Sequence, residues 1–259
     1  REEDLEALCS LSLQNRSYDN ALSAHLLHVA TYALKIGRAL RYDPEQLKRL
    51  ALAGLLHDVG MCLTPQEIRH KEAPLTSREM EIIQRHTEYG NRIVQAHLGD
   101  KFGWLARVIS QEHERANGNG YPEGLDGDAI DEMAMIIAVS DVCEALTSQR
   151  PYRPPMRPNK ALNYIMVKQK GEFPHRILKV LLHQFSYYPL HSLVRLNTNE
   201  IARVVEIDKE KPLRPTVRIL SGRNANAYHT RDNGLLPLID NPLLYIMDSV
   251  DEDRLAKAQ

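Results

Sequence analysis

The sequence predicts a mainly α-helical bundle with a small antiparallel β appendage at its C-terminal end. Three observations predict it. Between residues 19 and 187, apolar residues recur at three- and four-residue spacing in one segment after another. Two helix starts in that region carry capping-box signatures, Asp43-Pro44-Glu45-Gln46 and Thr76-Ser77-Arg78-Glu79. After Pro189 the pattern changes to short β-branched runs separated by turn formers. This divides the chain into a helical lead-in over 1–18, a helical core over 19–188, and a β appendage with its tail over 189–259. With 259 residues, 43% of them hydrophobic, the core can be substantial.

The first core helix is expected over 19–40, where Leu22, Leu26, Val29, Ala33, Ile36 and Leu40 share one face. His25 falls between Leu22 and Val29 on that same stripe. The second helix opens with Asp43 as cap, Pro44 in the first turn and Gln46 completing the box. It turns Leu47, Leu50, Ala51, Gly54 and Leu55 inward and ends in Leu56-His57-Asp58-Val59-Gly60. A short helix over 65–71 stops at Ala73-Pro74. From Thr76 one long helix is expected to about Leu98, with Met80, Ile83, Gly90, Ile93 and Val94 inward and His86 among them. From about Phe102 another helix sets Phe102, Leu105, Ala106 and Ile109 on one face. Continued by three and four residues, that face delivers Glu112 and His113.

The run Asn117-Gly118-Asn119-Gly120-Tyr121-Pro122 is a tight loop whose glycines let the backbone wrap closely around a site. A helix over 131–146 carries Met133, Ala134, Ile137 and Ala138 inward, with Asp141 on the same face. Gln149-Arg150-Pro151-Tyr152-Arg153-Pro154-Pro155 reads as irregular and basic, and two further helices follow over 159–170 and 174–187. Strands are expected over 193–196, 201–207 and 216–220, then an irregular tail with a final short helix. There is no internal repeat and no low-complexity segment.

Bulk properties exclude several classes. The net charge of -1, from 33 basic and 34 acidic side chains, argues against a protein that coats nucleic acid or anionic membrane. It leaves room for a local basic patch against a phosphorylated ligand. No apolar run is long enough to span a membrane, and no signal peptide is visible. Cys9, Cys62 and Cys143 stand far apart without a CxxC pair, so they are expected to be structural thiols in a reducing cytoplasm. The chain opens at Arg1 without Met and runs into a helix-like segment, so it reads as cut from a longer protein, in which a sensory or regulatory domain upstream would not be visible here.

Five helices each place an ionisable group on the inward face or at its end: His25, His57-Asp58, His86, Glu112-His113 and Asp141. A hydrogen-bonded core histidine or a buried ion pair explains any one of these. Separate explanations for all of them are harder to sustain, because a buried carboxylate is costly unless paired, protonated or bound to a cation. Histidine and carboxylate donors without cysteine suit Fe, Mn, Zn, Co or Ni. The donors are too many for one catalytic ion with open positions, and a pair of ions bridged by Asp58 fits the count. Such a pair activates a water and stabilises an in-line phosphoryl displacement.

In order along the chain, four runs resemble the HD-GYP family over about residues 20–187. They are His57-Asp58-Val59-Gly60, then His86, then Glu112-His113-Glu114-Arg115-Ala116-Asn117-Gly118-Asn119-Gly120-Tyr121-Pro122, then Asp141-Val142-Cys143-Glu144-Ala145-Leu146-Thr147-Ser148-Gln149-Arg150-Pro151-Tyr152-Arg153. The resemblance implies an HD-superfamily helical core holding two or three metals, usually iron or manganese, with Zn, Ni, Co or Mg as further candidates. It also implies hydrolysis of cyclic di-GMP to pGpG or onward to GMP. Carried over by position, His25, His57 and Asp141 hold one metal, Asp58 bridges, and His86 with His113 holds the second. His57 and Asp58 are the catalytic pair. Gly120, Tyr121 and Pro122, with Arg150 and Arg153, contact the ligand, since arginine forks suit its phosphates. Signalling proteins and a second copy of the chain are the partners such a domain suggests.

Four departures from the family pattern bear on activity. Glu112 stands where the family has a histidine; a carboxylate still ligates a hard metal, and the alternative is a pair with Arg115. Ala21 replaces the glutamate of three-metal members, so two metals at most are expected. Met61 replaces a lysine that stabilises phosphate charge, a loss worth on the order of 10²–10³ in rate. Asn117 replaces an aspartate, keeping the turn chemistry without the charge. These departures keep open a catalytically weak domain that senses the nucleotide or docks a partner. The intact Gly120-Tyr121-Pro122 loop disfavours a generic mononucleotide hydrolase.

Overall fold

The computed structural model describes residues 19–71, 73–148, 155–184, 188, 190–208, 211–221 and 234–250. Among these, two compact units are distinguished. One runs to Met156 and resumes over Tyr164–Val180; the other comprises Arg157–Asn163 and the chain from Leu181. No helix of the described residues is long and apolar enough to cross a membrane.

In the first unit α1 (Asp19–Ala39) and α2 (Pro44–Leu56) pack as a pair. Their closeness is set by Gly54, where a Cβ would sit 2.6 Å from the Cα of Ala30. Val29, Ala30, Ala33 and Ile36 of α1 are buried with Leu50, Ala53 and Leu56 of α2. Leu55, expected inward, is 42% exposed; the close approach at Gly54 turns Ala53 and Leu56 to the core instead. The Asp43 capping box forms as expected, with Gln46 N–H donating to Asp43 Oδ1 and Asp43 N–H donating to the Gln46 side chain. A 3-10 turn, Val59–Leu63, and a short α3 (Gln66–Arg69) follow.

The long helix expected from Thr76 is two helices, α4 (Ser77–Gln84) and α5 (His86–Leu98). The break lies at Arg85 because side chains take the carbonyls a continuing helix would use. His86 Nδ1 bonds Ile83 O at 2.7 Å and Thr87 Oγ1 donates to Gln84 O at 3.0 Å. Met80, expected inward, is 43% exposed on α4, ahead of the break. The Thr76 capping box is present as expected.

Helix α6 (Gly103–Gln111) buries Leu105, Ala106, Val108 and Ile109 and stops one residue before Glu112, which keeps helical dihedrals. Helix α7 (Glu132–Thr147) is enclosed rather than one-faced: every residue from Ala134 to Ser140 is buried. It packs against α1, α2 and α6, which makes it the axis of the bundle. Helices α8 (Pro158–Lys168) and α9 (His175–Gln184) complete the helical set. Cys143 is buried, as a structural thiol should be, whereas Cys62 is exposed on the turn after α2. The lead-in over 1–18, including Cys9, lies outside the described residues.

The second unit holds a five-stranded antiparallel sheet in the order β4-β3-β2-β1-β5. Its strands are β1 (Leu193–Leu196), β2 (Ile201–Glu206), β3 (Thr216–Ser221), β4 (Leu235–Pro237) and β5 (Ile246–Val250). The register Val194↔Ala202, Val204↔Val217 and Val217↔Leu236 stacks the inner face, which packs with Tyr188, Leu196, Leu238, Leu244 and Ile246. Three strands were legible in the β-branched runs. The tail expected to be irregular supplies the other two, β4 and β5, which are short and gain their hydrogen bonds only from β3 and β1. The final short helix falls outside the described residues.

Candidate metal centre

Three buried histidines each commit one ring nitrogen to an oxygen acceptor. His57 Nδ1 bonds Gly54 O at 2.9 Å and His86 Nδ1 bonds Ile83 O at 2.7 Å, each the carbonyl three residues upstream. His25 Nδ1 meets Glu144 Oε2 at 2.6 Å, from α1 to α7. A carbonyl only accepts, so Nδ1 of His57 and His86 carries the proton and a neutral ring presents a bare Nε2. Among the described residues, Nε2 of His57 and of His86 is buried without a hydrogen-bond partner, as are both carboxylate oxygens of Glu112.

These atoms converge on Asp58. Its Oδ2 lies 3.5 Å from His25 Nε2 and 3.4 Å from His57 Nε2, while Oδ1 lies 3.6 Å from His86 Nε2. Asp141 Oδ1 is 3.5 Å from His25 Nε2, and Glu112 Oε1 is 3.4 Å from His86 Nε2. Two donor groups result, His25-His57-Asp141 and His86-Glu112-His113, each with its donor atoms within 4.8 Å of one another. Atoms about 2.1 Å from a shared cation stand roughly 3.0–3.4 Å apart, close to the separations here. The donors are nitrogen and oxygen alone, which suits a divalent transition metal or Mg²⁺. The residues therefore fit a metal: orphaned buried donors point inward, and three carboxylates surround them.

The electrostatics say the same. Burial opposes protonation of His25, but Asp58 and Glu144 outweigh it and push its pKa up to about 9. Burial is likewise overcome at His86, which Glu112 and Asp58 raise to about 9. His57 is raised well above its ordinary value by Asp58 and Glu112 against its own burial. Asp58, despite burial, is held well below the usual carboxylate range by His57, His25 and His86. Burial pushes Glu112 up, and burial with the neighbouring His86 pushes His113 well down. The surrounding carboxylates thus draw His25, His57 and His86 towards the positively charged form, whereas His113 is held neutral.

Glu112 does not pair with Arg115. The Arg115 guanidinium donates to the backbone carbonyls of Glu112 and Glu114 at 3.2 and 2.8 Å and pairs with Glu172 at 3.5 Å. Tyr121 stacks on His113, ring centroids 4.8 Å apart and 21° between planes. Gly120 is pressed on the chain beside it, where a Cβ would meet the backbone of residues 113–115 at 2.4–2.5 Å; Pro122 is exposed. Asn117 does keep the turn chemistry, accepting the Asn119 N–H at 3.1 Å. Met61 is half-buried, its sulfur 3.9 Å from Thr64 Oγ1. Arg150 and Arg153 lie outside the described residues.

Two residues escaped the sequence reading. Glu144 is buried and orients His25; its signal was helical spacing, three residues after Asp141 on a face that meets α1. Glu114 is fully buried and had no signal beyond adjacency to His113. Partners of this kind orient a ligating histidine and tune its basicity. Glu144→Gln is expected to weaken Mn²⁺ binding by about 10–100-fold while the fold persists. Unchanged affinity in a calorimetric titration would remove Glu144 from the metal-orienting set.

A helical bundle whose second helix ends in His-Asp, with further histidines and carboxylates gathered around that pair, defines the HD class of protein. The profile of the HD domain family matches residues 6–175, and that of a KOW domain associated with HD domains matches residues 193–258. A cyclic di-GMP phosphodiesterase of Pseudomonas aeruginosa is 30% identical over 213 residues, 82% of this chain and 51% of that protein. A 3'3'-cGAMP-specific phosphodiesterase of Vibrio cholerae is 35% identical over 165 residues, 63% of this chain and 38% of that protein. The chain thus spans about half the length or less of these curated relatives. Among solved structures, an HDG"Y"P protein from Bdellovibrio bacteriovorus aligns with TM-score 0.52 at 23% identity, over 64% of this chain and 52% of that one. The HD domain of the L. monocytogenes phosphodiesterase PgpH aligns with TM-score 0.51 at 16% identity, over 69% and 94%. The chain belongs to the HD domain family and is a member of its HD-GYP type.

Proposed function

We propose that this chain is a metal-dependent phosphodiesterase that opens a cyclic dinucleotide, cyclic di-GMP first, to pGpG, GMP or both. One observation carries the reading: the two oxygens of Asp58 face different donor groups, Oδ2 towards His25 and His57 and Oδ1 towards His86. A carboxylate so placed would serve both groups at once: His25, His57 and Asp141 would hold one cation, and His86, Glu112 and His113 the other. Two divalent ions held there, iron or manganese by the family resemblance, would supply a water-derived nucleophile at neutral pH and charge stabilisation on the phosphate.

The residues divide the remaining work. Asp58 and His57 keep both half-sites in register, and Tyr121 with Gly120 and Pro122 forms the rim on the His113 side. Arg150 and Arg153 are assigned to the phosphates, which their forked donors match. In-line attack forms one P–O bond, breaks the P–O3′ bond and leaves a 5′-phosphate on the opened product.

Relatives named for cyclic di-GMP and for 3'3'-cGAMP support the cyclic dinucleotide class. A second reading, a weakly catalytic domain that binds the nucleotide as a sensor, draws on Met61, a thioether where the family pattern has a lysine. The deciding assay supplies Mn²⁺ or anaerobic Fe²⁺ and each nucleotide in turn, then identifies products. Formation of pGpG or GMP supports the enzyme; binding without products defeats it and leaves the sensor.

The pH response follows from the histidines. A histidine raised from its ordinary 6.5 to about 9 adds stability fully present below 6.5 and lost as pH rises through about 9. The metal-free protein is expected to lose thermal stability across that window. Mn²⁺ affinity runs the other way, rising by up to about tenfold per pH unit for each proton displaced. Melting and titration at matched pH values check both trends, and an affinity flat in pH would contradict proton displacement.

A further inference from the structure

Glu114, next in sequence to His113, carries a fully buried carboxylate whose hydrogen bonds go to the backbone of residues 123–125. Its Oε1 accepts the backbone N–H of Glu123 at 2.7 Å and of Gly124 at 3.1 Å, and its Oε2 accepts that of Leu125 at 3.0 Å. Three consecutive backbone donors aimed at one anion resemble the nests that bind phosphate, here closed around an internal carboxylate. The chain curls far enough to do this because Gly124 has φ +68°. Charge-assisted bonds inside a site closed to water are the strong kind.

The loop they fasten contains Tyr121. Tyr121 N–H donates to His113 O at 3.2 Å and Gly118 N–H to Arg115 O at 2.8 Å, so residues 113–115 also hold the loop's near side. Gly120 fits only because it lacks a Cβ. Glu114 fastens the far side, beyond Tyr121. The Tyr121 ring is thus clamped between two anchors, stacked on His113.

We infer that Glu114 is a positioning residue: it latches loop 117–126 so that Tyr121 covers the His113 half-site and presents its ring to the incoming nucleotide. This rests on the phosphodiesterase reading for its kinetic consequence, but not for the latch itself. The residue next in sequence to a metal donor thereby governs substrate capture without holding metal.

The full chain, loaded with Mn²⁺, tests it as wild type, Glu114→Gln, Glu114→Asp, Tyr121→Ala and the Glu114→Gln/Tyr121→Ala double variant. The Gln amide keeps one accepting oxygen but turns its NH2 towards a backbone N–H and removes the charge, so amide exchange at residues 118–126 should quicken by about tenfold or more. Mn²⁺ stoichiometry should stay as in wild type. KM for cyclic di-GMP should rise about tenfold with kcat changed by less than about threefold, and the double variant should be no worse than Tyr121→Ala alone. Glu114→Asp keeps the charge on a shorter stem and should fall between; it carries the same readouts if Glu114→Gln does not fold. Exchange unchanged in the loop, loss of Mn²⁺, or a KM like wild type with a loosened loop each overturns the inference. Should wild type turn over no cyclic dinucleotide, the function proposed above fails, and the exchange and Mn²⁺ measurements still decide the latch.

Discussion

Replacing Asp58 by alanine is expected to lower bound metal from the proposed two ions per chain to fewer than one and to cut turnover by on the order of 10³-fold or more. The expectation comes from geometry rather than from the motif. Among the described residues, Asp58 is the carboxylate whose two oxygens face both donor groups. Its loss also removes the charge that sustains the raised pKa values of His25, His57 and His86. At neutral pH the rings then crowd together with less compensation, which disfavours a cation further. Asp58→Asn separates the effects, since it keeps the shape and one oxygen while removing the charge. Elemental analysis of the folded variants, alongside turnover, is the measurement. Wild-type metal content in Asp58→Ala would disprove the bridging role.

Gly60→Ala is expected to do nearly as much damage from outside the donor set. A Cβ there would lie 1.9 Å from His86 O, 2.5 Å from Gly90 N and 2.8 Å from His86 C. All three are backbone atoms of α5, so no rotamer change relieves the overlap. The turn after Asp58 must part from the helix that carries His86, and the two halves of the centre separate with it. We expect about 3 kcal/mol of destabilisation, equivalent to a Tm lower by about 10 °C. The His86 half-site should lose its ion before the His25 half-site does. A Gly60→Ala protein with the wild-type Tm and full metal content would show that the turn moves freely and refute the account.

The clustered histidines and carboxylates were legible because periodicity reveals which face of a helix is buried. His25, His86 and Asp141 fell on apolar stripes, and His57-Asp58 closed one, so their inward placement followed from local pattern alone. Periodicity assigns a face to one helix at a time and says nothing of which atom meets which across helices. The pairing of His25 with Glu144 spans 119 residues and depends on how α1 crosses α7. The break at Arg85 was hidden for a similar reason: side-chain capture of backbone carbonyls by His86 and Thr87 competes with a helix that propensity alone would continue. Strands β4 and β5 were missed because each is short, and β propensity expresses a fit to neighbours more than a backbone preference.

By itself, then, the sequence determined the chemistry: nitrogen and oxygen donors, their order on successive helices, and a mainly helical fold ending in β-structure. Composition and spacing suffice for that, since donor type is a property of residues and burial a property of repeats. Only the tertiary structure decided that Asp58 divides its oxygens between two donor groups, and that Glu112 faces His86 while Arg115 turns to the backbone. It alone showed Glu114 fastening the loop that lays Tyr121 on His113. Those are distances between groups brought together by packing, and they exist only once the helices have chosen their partners.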